Sequence, residues 1–276
     1  MASPTTKTVV ATGGVLSILA ASQFLMTLDT SVMNVSISEV AHDVGTTVTG
    51  VQSAITLFTL VMASLMITGG KVAGVVGRRR AFEIGLVIYA AGSFVTGIAH
   101  SLALLIVGWS FLEGVGAALI MPAIVALVAG NFPEEKRPSA YGAVAAAGAI
   151  AIAVGPLVGG AVTTFLSWRW VFFAEVALAI MILAATRLIK EAPRAGSGRF
   201  DFFGALLSVI GLSLVVLAVL KSGEWGWVRH ESGAPSVLGG SPVIWMLVGG
   251  IAVLAAFLAY EQRRIAHDAP PLVHPQ

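Results

Sequence analysis

Apolar residues in this chain continue for about 20 positions at a time, and polar residues gather between the runs. A helix crosses the hydrocarbon core of a bilayer in roughly 20 residues. Eight stretches come up to about that length: 13–36, 50–70, 81–99, 102–129, 139–165, 169–188, 203–221 and 243–261. The third and fourth are separated only by the His100-Ser101 hairpin. The alternation expected of membrane strands is absent, which argues against a β-barrel. The pattern predicts an all-α polytopic membrane protein.

Composition supports that reading. Hydrophobic residues make up 57% of the chain and charged residues 11%, against about 25% charged in soluble domains. Mean hydropathy is +0.92. The charges are also sided. With the N-terminus inside, all of the 16 Lys and Arg except Arg169, Lys221 and Arg229 fall in inner segments. The positive-inside rule then predicts two cytoplasmic termini and a multi-pass protein of the cell inner (plasma) membrane. The net charge of +2 reflects this sidedness and not nucleic-acid binding: Arg78-Arg79-Arg80 lies between two spans, where anionic lipid is its natural neighbour. There is no cysteine. The first span is too long for a signal-peptide core and is expected to stay in place.

The segments divide into six spans over 1–189, a Pro- and Gly-containing cytoplasmic linker over 190–202, two further spans over 203–265, and a short cytoplasmic tail over 266–276. Trp168, Trp170, Trp225 and Trp227 fall at predicted outer edges, positions suited to an interfacial belt.

Asp29 is the only formal charge in the 31 residues between Lys7 and Glu39. Ionisable groups in a membrane span face a bundle interior or a wet cavity, where they bind a cation, carry a proton, or hold a structural partner. In the fifth span, Pro156 removes a helix hydrogen bond, while Gly155 and Gly159 expose backbone for close helix approach. Tight packing and a bend at a moving interface are both open for that window.

These segments together resemble the major facilitator superfamily, and within it the drug:proton antiporter family with fourteen transmembrane helices. Gly155 to Gly160 (GPLVGG) is similar to the core of the antiporter motif, carried by Gly155, Pro156, Gly159 and Gly160. Leu28 to Val35 (LDTSVMNV) resembles the first-helix signature, and Leu112 to Pro122 (LEGVGAALIMP) the fourth-helix motif. Gly70 to Arg79 (GKVAGVVGRR) resembles the loop between helices two and three, with Gly70, Gly77, Arg78 and Arg79 as its gating residues. Trp168 to Phe173 matches the start of the sixth helix, and Asp201 to Trp227 the extra linker helices. The resemblance implies alternating access between two six-helix bundles, coupled to protons, with export of amphipathic or cationic compounds.

The departures are chemical. Gly74-Val75 stand where the family's loop has Asp-Arg, Glu113 where its fourth helix has Gln, and Ser38 where its first-helix signature has Pro. Ser110 replaces an Arg, so no Lys or Arg lies deep within any predicted span. Asp29, Glu113 and Glu175 are therefore intramembrane acids without a basic partner, and Asp29 and Glu113 are predicted to exchange protons in a central cavity. A rise of about 1.5 Å per residue puts Glu113 near the midplane, Asp29 in the outer half and Glu175 higher still. A neutral, hydrogen-bonded structural carboxyl is the rival role for each. Met26 and Met33 share Asp29's helical face and are candidates for the substrate cavity, with core packing as the alternative. Asn34 and Gln52 are candidates for its outer vestibule.

No Ser–His pair, metal-ligand pattern or phosphate-binding loop is visible. The expectation is a transporter and not an enzyme, with no cofactor and no metal. Its expected partners are protons, a small-molecule substrate and the lipid bilayer. The chain supplies one bundle and two linker helices of the implied fold, which fits a truncated fourteen-helix relative. The alternatives are a half that forms a homodimer and a non-transporting fragment or subunit that needs a separate second half.

Overall fold

A computed structural model describes residues 4–191, 201–229, 235–237 and 239–266. Most of the predicted linker and nearly all of the predicted tail lie outside these residues. The described chain is helical: α1 (Pro4–Val35), α2 (Ile37–Asp43), α3 (Val48–Val76), α4 (Arg78–Gly97), α5 (Leu102–Asn131), α6 (Arg137–Phe165), α7 (Arg169–Ala185), α8 (Phe202–Trp225) and α9 (Pro242–Ala266). Seven of these are long and apolar enough to cross a membrane. The other long helix, α4, corresponds to the predicted third span. Its first turns carry Arg78, Arg79, Arg80 and Glu83, which lower its hydropathy.

The helix ends follow from local chemistry. The Thr47 hydroxyl caps α3 by accepting from the Gly50 N–H at 3.1 Å, Ser101 caps α5, and the Asp201 carboxylate caps α8 by accepting from the Gly204 N–H at 3.0 Å. One residue, Gly77, separates α3 from α4. Its φ of 107° is a conformation L side chains rarely adopt, so this reversal depends on glycine.

Helix α1 packs against α6 and α7, α5 packs against α3 and α4, and α4 packs against α7. The α8–α9 hairpin docks on α3, where the hydroxyls of Ser213 and Ser64 lie 2.9 Å apart. The core between the first seven helices is apolar and includes Trp109, Tyr89, Phe82, Leu19 and Ile120, all fully buried.

Two prolines inside helices leave carbonyls without their usual partner four residues ahead, and each faces a neighbouring helix. Pro122 frees the Ala118 carbonyl in α5, and Gly69 of α3 lies so close to it that an added Cβ would collide with the oxygen. Pro156 frees the Ile152 carbonyl in α6, and the Ser31 hydroxyl of α1 donates to it at 3.5 Å. Backbone groups in a membrane need such replacement partners.

At the end of the bundle opposite the Arg78–Arg80 run, Asp43 ties three connections together. It accepts from Trp168 Nε1 at 3.0 Å and from Arg169, whose other nitrogen donates to the Ala99 carbonyl at 2.9 Å. Trp168, expected at the interface, is instead fully buried in this clip, whereas Trp170 and Trp227 are exposed. Partial burial raises the Asp43 pKa, but the hydrogen bonds from Arg169 and Trp168 and the Arg169 charge outweigh it, leaving the carboxyl below its ordinary 3.8.

Two outcomes are expected. Gly69→Ala forces apart α3 and α5 and costs about 1–3 kcal/mol, the usual range for overpacking. Gly142→Ala, where a Cβ meets nothing within 4 Å, stays within about 0.5 kcal/mol; thermal unfolding in detergent distinguishes the two. Asp43 adds stability that is fully present above 3.8 and declines as the pH falls through its depressed native pKa. The gap in unfolding temperature between wild type and Asp43→Asn should therefore be constant from pH 7 to 5 and shrink only below 3.8.

Candidate functional site

Asp29 on α1, Glu113 on α5 and Glu175 on α7 are at most 2% exposed. One carboxylate oxygen from each lies within 4.8 Å of the other two. Counting the rise along separate helices places Glu175 nearer one end than its companions. The packing of α7 against both α1 and α4 brings it into the same cluster.

The α5 segment Ile106–Glu113 is a π-helix, a feature that recurs at functional sites. Trp109, Ser110 and Glu113 on it are all fully buried. Trp109 Nε1 donates to both oxygens of Asp29, at 2.9 and 3.0 Å. Ser110, at the position where the resemblance leads one to expect Arg, turns elsewhere and donates to the Ala54 carbonyl of α3 at 2.8 Å. A neutral indole thus occupies the role of donor to Asp29.

Helix α4 supplies the remaining hydroxyls. Ser93 donates to Glu175 Oε2 at 3.2 Å, and Thr96 Oγ1 lies 3.0 Å from Glu113 Oε1 and 2.8 Å from the Gly92 carbonyl. A threonine hydroxyl has a single proton to donate. The proton is shared between Gly92 and an ionised Glu113, whereas both bonds reach full strength when Glu113 carries a proton and donates to Thr96. The close approach of α4 and α5 rests on Gly92 and Gly108: a Cβ on Gly92 would fall 2.6 Å from Glu113 Cγ, and one on Gly108 2.7 Å from the Thr96 hydroxyl.

Beside this cluster lies a cavity of about 500 Å³, within the usual range for small-molecule sites. Helix α1 lines it with Gln23, Met26, Thr27, Thr30, Ser31, Asn34 and Val35; α3 with Phe58, Thr59 and Met62; α5 with Ala117 and Met121; and α6 with Ile152 and Pro156. None of these residues is charged. The predicted cavity residues Met26 and Asn34 are among them. Met33 is not: it is buried in the core. Gln52 is exposed on α3, outside the lining.

Neither do the three carboxylates line the cavity, although the sequence reading has proton exchange taking place within it. Phe58 and Trp109 stack with centroids 5.0 Å apart and planes 8° from parallel. Phe58 faces the cavity and Trp109 faces Asp29, so this ring pair forms the wall between them. Sequence reasoning missed Trp109, Phe58, Tyr89, Ser93 and Thr96. A Trp in the body of a span, away from either interface, is the one signal that pointed to Trp109.

The antiporter-like segment packs on α1. A Cβ on Gly155 would collide with the Ser31 hydroxyl and one on Gly159 would lie 3.1 Å from Val32 Cα, while Gly160 has open space. In the loop between α3 and α4, Gly70 lies near Pro122, and Gly77 makes the reversal. Arg78 donates to the Ala126 carbonyl at 3.1 Å, and Arg79 pairs with Glu83 at 2.8 Å. The Arg79 backbone N–H donates to Glu191, beyond α7, at 3.3 Å. These contacts tie the loop to α5 and to the end of α7.

Residues 19–262 match the Major Facilitator Superfamily. The chain belongs to this superfamily. Its described residues include seven helices able to cross a membrane, as a multi-pass member of that superfamily requires. The chain is 35% identical over 254 residues to the puromycin resistance protein pur8 of Streptomyces alboniger, covering 90% of this chain and 47% of that protein. It is 33% identical to the cephamycin export protein CmcT of Amycolatopsis lactamdurans, covering 99% and 54%. A methylenomycin A resistance protein of Bacillus subtilis is 29% identical, covering 94% and 52%. The chain therefore spans about half the length of the curated relatives it matches.

Among solved structures, an inward-facing bacterial homologue of the lysosomal transporter Spinster gives a TM-score of 0.58 at 18% identity, covering 70% of this chain and 46% of that one. A peptide transporter POT in complex with alafosfalin gives 0.57 at 15% identity, covering 77% and 51%. Both likenesses are of fold alone. In this member of the superfamily, Trp109→Phe leaves the stack on Phe58 but deprives buried Asp29 of its indole donor. The expected loss is about 1–3 kcal/mol, the usual cost of stranding a buried polar group, measurable by chemical denaturation in detergent.

Proposed function

We propose that this chain forms the drug-binding and proton-carrying half of an exporter of the fourteen-helix antiporter type. In this reading residues 1–189 are the N-terminal bundle, 190–202 a cytoplasmic linker, 203–265 the two linker helices and 266–276 a cytoplasmic tail. It sits in the plasma membrane with both termini and the Arg78–Arg80 end in the cytoplasm.

The observation that carries the reading is the adjacency of an uncharged, methionine-lined cavity to three buried carboxylates across one ring pair. Met26, Met62 and Met121 give the cavity an adaptable apolar surface, while Gln23, Thr27, Thr30 and Asn34 add neutral polar groups. That lining suits amphipathic molecules of varied shape, as the names of the resistance and export relatives suggest. The two bonds at Thr96 give a proton on Glu113 a defined place, and Asp29 and Glu175 lie within reach to receive it. The wall keeps drug and proton sites separate, so the two couple through Phe58 and Trp109 and not by direct contact.

Alternating access requires a second bundle facing the cavity. The chain alone supplies α1, α3, α5 and α6 to one side of it. The second bundle comes in this reading from a separate half, a second copy, or the remainder of a longer chain.

Membrane vesicles containing the chain together with the second bundle of a full-length relative test this directly. A pH gradient should drive movement of an amphipathic fluorescent cation, and Asp29→Asn should cut the gradient-driven rate at least tenfold while binding of the dye persists. Undiminished pH-driven transport in Asp29→Asn would overturn the proton role. Met26→Trp should instead lower dye affinity while leaving proton movement intact.

A further inference from the structure

The carboxylate cluster has a feature that hydrogen bonding does not account for. Its hydrogen-bond partners lie at the periphery: Trp109 on Asp29, Ser93 on Glu175 Oε2 and Thr96 beside Glu113 Oε1. The other oxygen of each glutamate, Glu113 Oε2 and Glu175 Oε1, is buried and has no hydrogen-bond partner. Tyr89, on α4 and fully buried, sets its hydroxyl beside Asp29, and that hydroxyl also lacks a geometric partner. Buried polar atoms are nearly always satisfied, and each exception calls for a reason. Here the exceptions come from three different helices and share one neighbourhood.

We propose that Asp29, Glu113 and Glu175, with the Tyr89 hydroxyl as a fourth donor, form a binding site for a hard metal cation. The donor set is oxygen throughout, which suits alkali and alkaline-earth ions and not the soft metals that choose sulfur or imidazole. Hydration narrows the choice further. Three buried carboxylate oxygens within 4.8 Å of one another can converge on a dehydrated ion, and Ca²⁺ accepts such oxygens in flexible geometry at about 2.3–2.6 Å. Na⁺ has nearly the same radius. Mg²⁺ dehydrates reluctantly and keeps several waters, which a fully buried cluster has little room to admit.

Charge points the same way. The donors found on the three carboxylates are neutral, so a metal ion supplies the positive charge that Ser110 does not. The sequence carries no metal-ligand spacing because the ligands come from α1, α5 and α7, far apart in the chain. The site uses the same carboxylates as the proton reading above, and the cation would exchange against protons there. It does not depend on coupling to drug transport.

The test is direct binding to the purified chain in detergent or nanodiscs at pH 8, using radioactive Ca²⁺ and Na⁺ with Mg²⁺ as the comparison. The expected result is one saturable site per chain for Ca²⁺ or Na⁺, with Mg²⁺ at least tenfold weaker; the preferred ion assigns the charge of the occupied site. Glu113→Gln and Glu175→Gln should each weaken binding at least tenfold, and Tyr89→Phe severalfold. Binding should also change tryptophan fluorescence in wild type but not in Trp109→Phe.

Should a glutamine variant fail to fold, Tyr89→Phe and the ion-specific rise in wild-type unfolding temperature decide the matter. Absence of saturable Ca²⁺ and Na⁺ binding to folded wild type overturns the site. So does binding that Glu113→Gln, Glu175→Gln and Tyr89→Phe all leave unchanged. Either failure leaves the Asp29→Asn transport result to stand alone, and loss of proton coupling in that assay leaves metal binding untouched.

Discussion

The hydrogen bond from Trp109 to Asp29 is the contact on which the rest of the site depends. A carboxylate in the middle of a helical bundle must be given a donor, a counter-charge or a proton. Here the donor is a large neutral ring, and a ring that size must itself be housed. Phe58 stacks on one face of it, the π-helical stretch of α5 carries it beside Glu113, and Gly92 and Gly108 let α4 come close enough to add Ser93 and Thr96. An arginine would have brought charge with its donors. An indole brings only direction and bulk, so the donors found on the three acids bring no positive charge to them.

The same economy of partners governs the scaffold. Each internal proline leaves a carbonyl for a neighbouring helix to meet. Gly69 leaves room for one by having no side chain, and Ser31 meets the other with its hydroxyl. These pairings fix α3 against α5 and α1 against α6. They therefore set the four walls of the cavity before any cavity side chain is considered. Gly155 and Gly159 belong to this scheme, because they let α6 approach Ser31 and Val32 while Pro156 between them faces the opening.

Much of this was legible in the sequence. Helix type, seven of the eight predicted spans and the intramembrane acids follow from hydropathy and from the cost of burying charge, which are properties of single segments. Asp29, Glu113 and Glu175 stand out on that ground, and all three meet. What could not be read was relative depth and facing. The rise per residue sets Glu175 apart from the others because helix tilt and packing are not local quantities. Met33 shares Asp29's helical face yet points into the core, since α1 has neighbours on several sides. Trp168 looks interfacial from its position at a helix end, and only the fold shows that Asp43 waits there for its indole N–H. Trp109 has no motif to mark it. Its role exists because Ser110 stands where an arginine is expected, and a substitution in one place gives no notice of what replaces the lost function.

The division between cavity and carboxylates has a consequence for selectivity. The lining of the cavity carries no charge, so it neither demands a cation nor rejects a neutral molecule by leaving a buried ion unpaired. In the proposed exporter, a preference for positive substrates would arise from the field of the cluster across the Phe58–Trp109 pair, a field that would change with each proton or ion the cluster gained. Low dielectric between the two sites lets such a change be felt over several ångströms. On the proposed reading, a cavity whose shape is permissive and whose electrostatics are set from behind a wall would keep a broad substrate range and still respond to the occupancy of Asp29, Glu113 and Glu175.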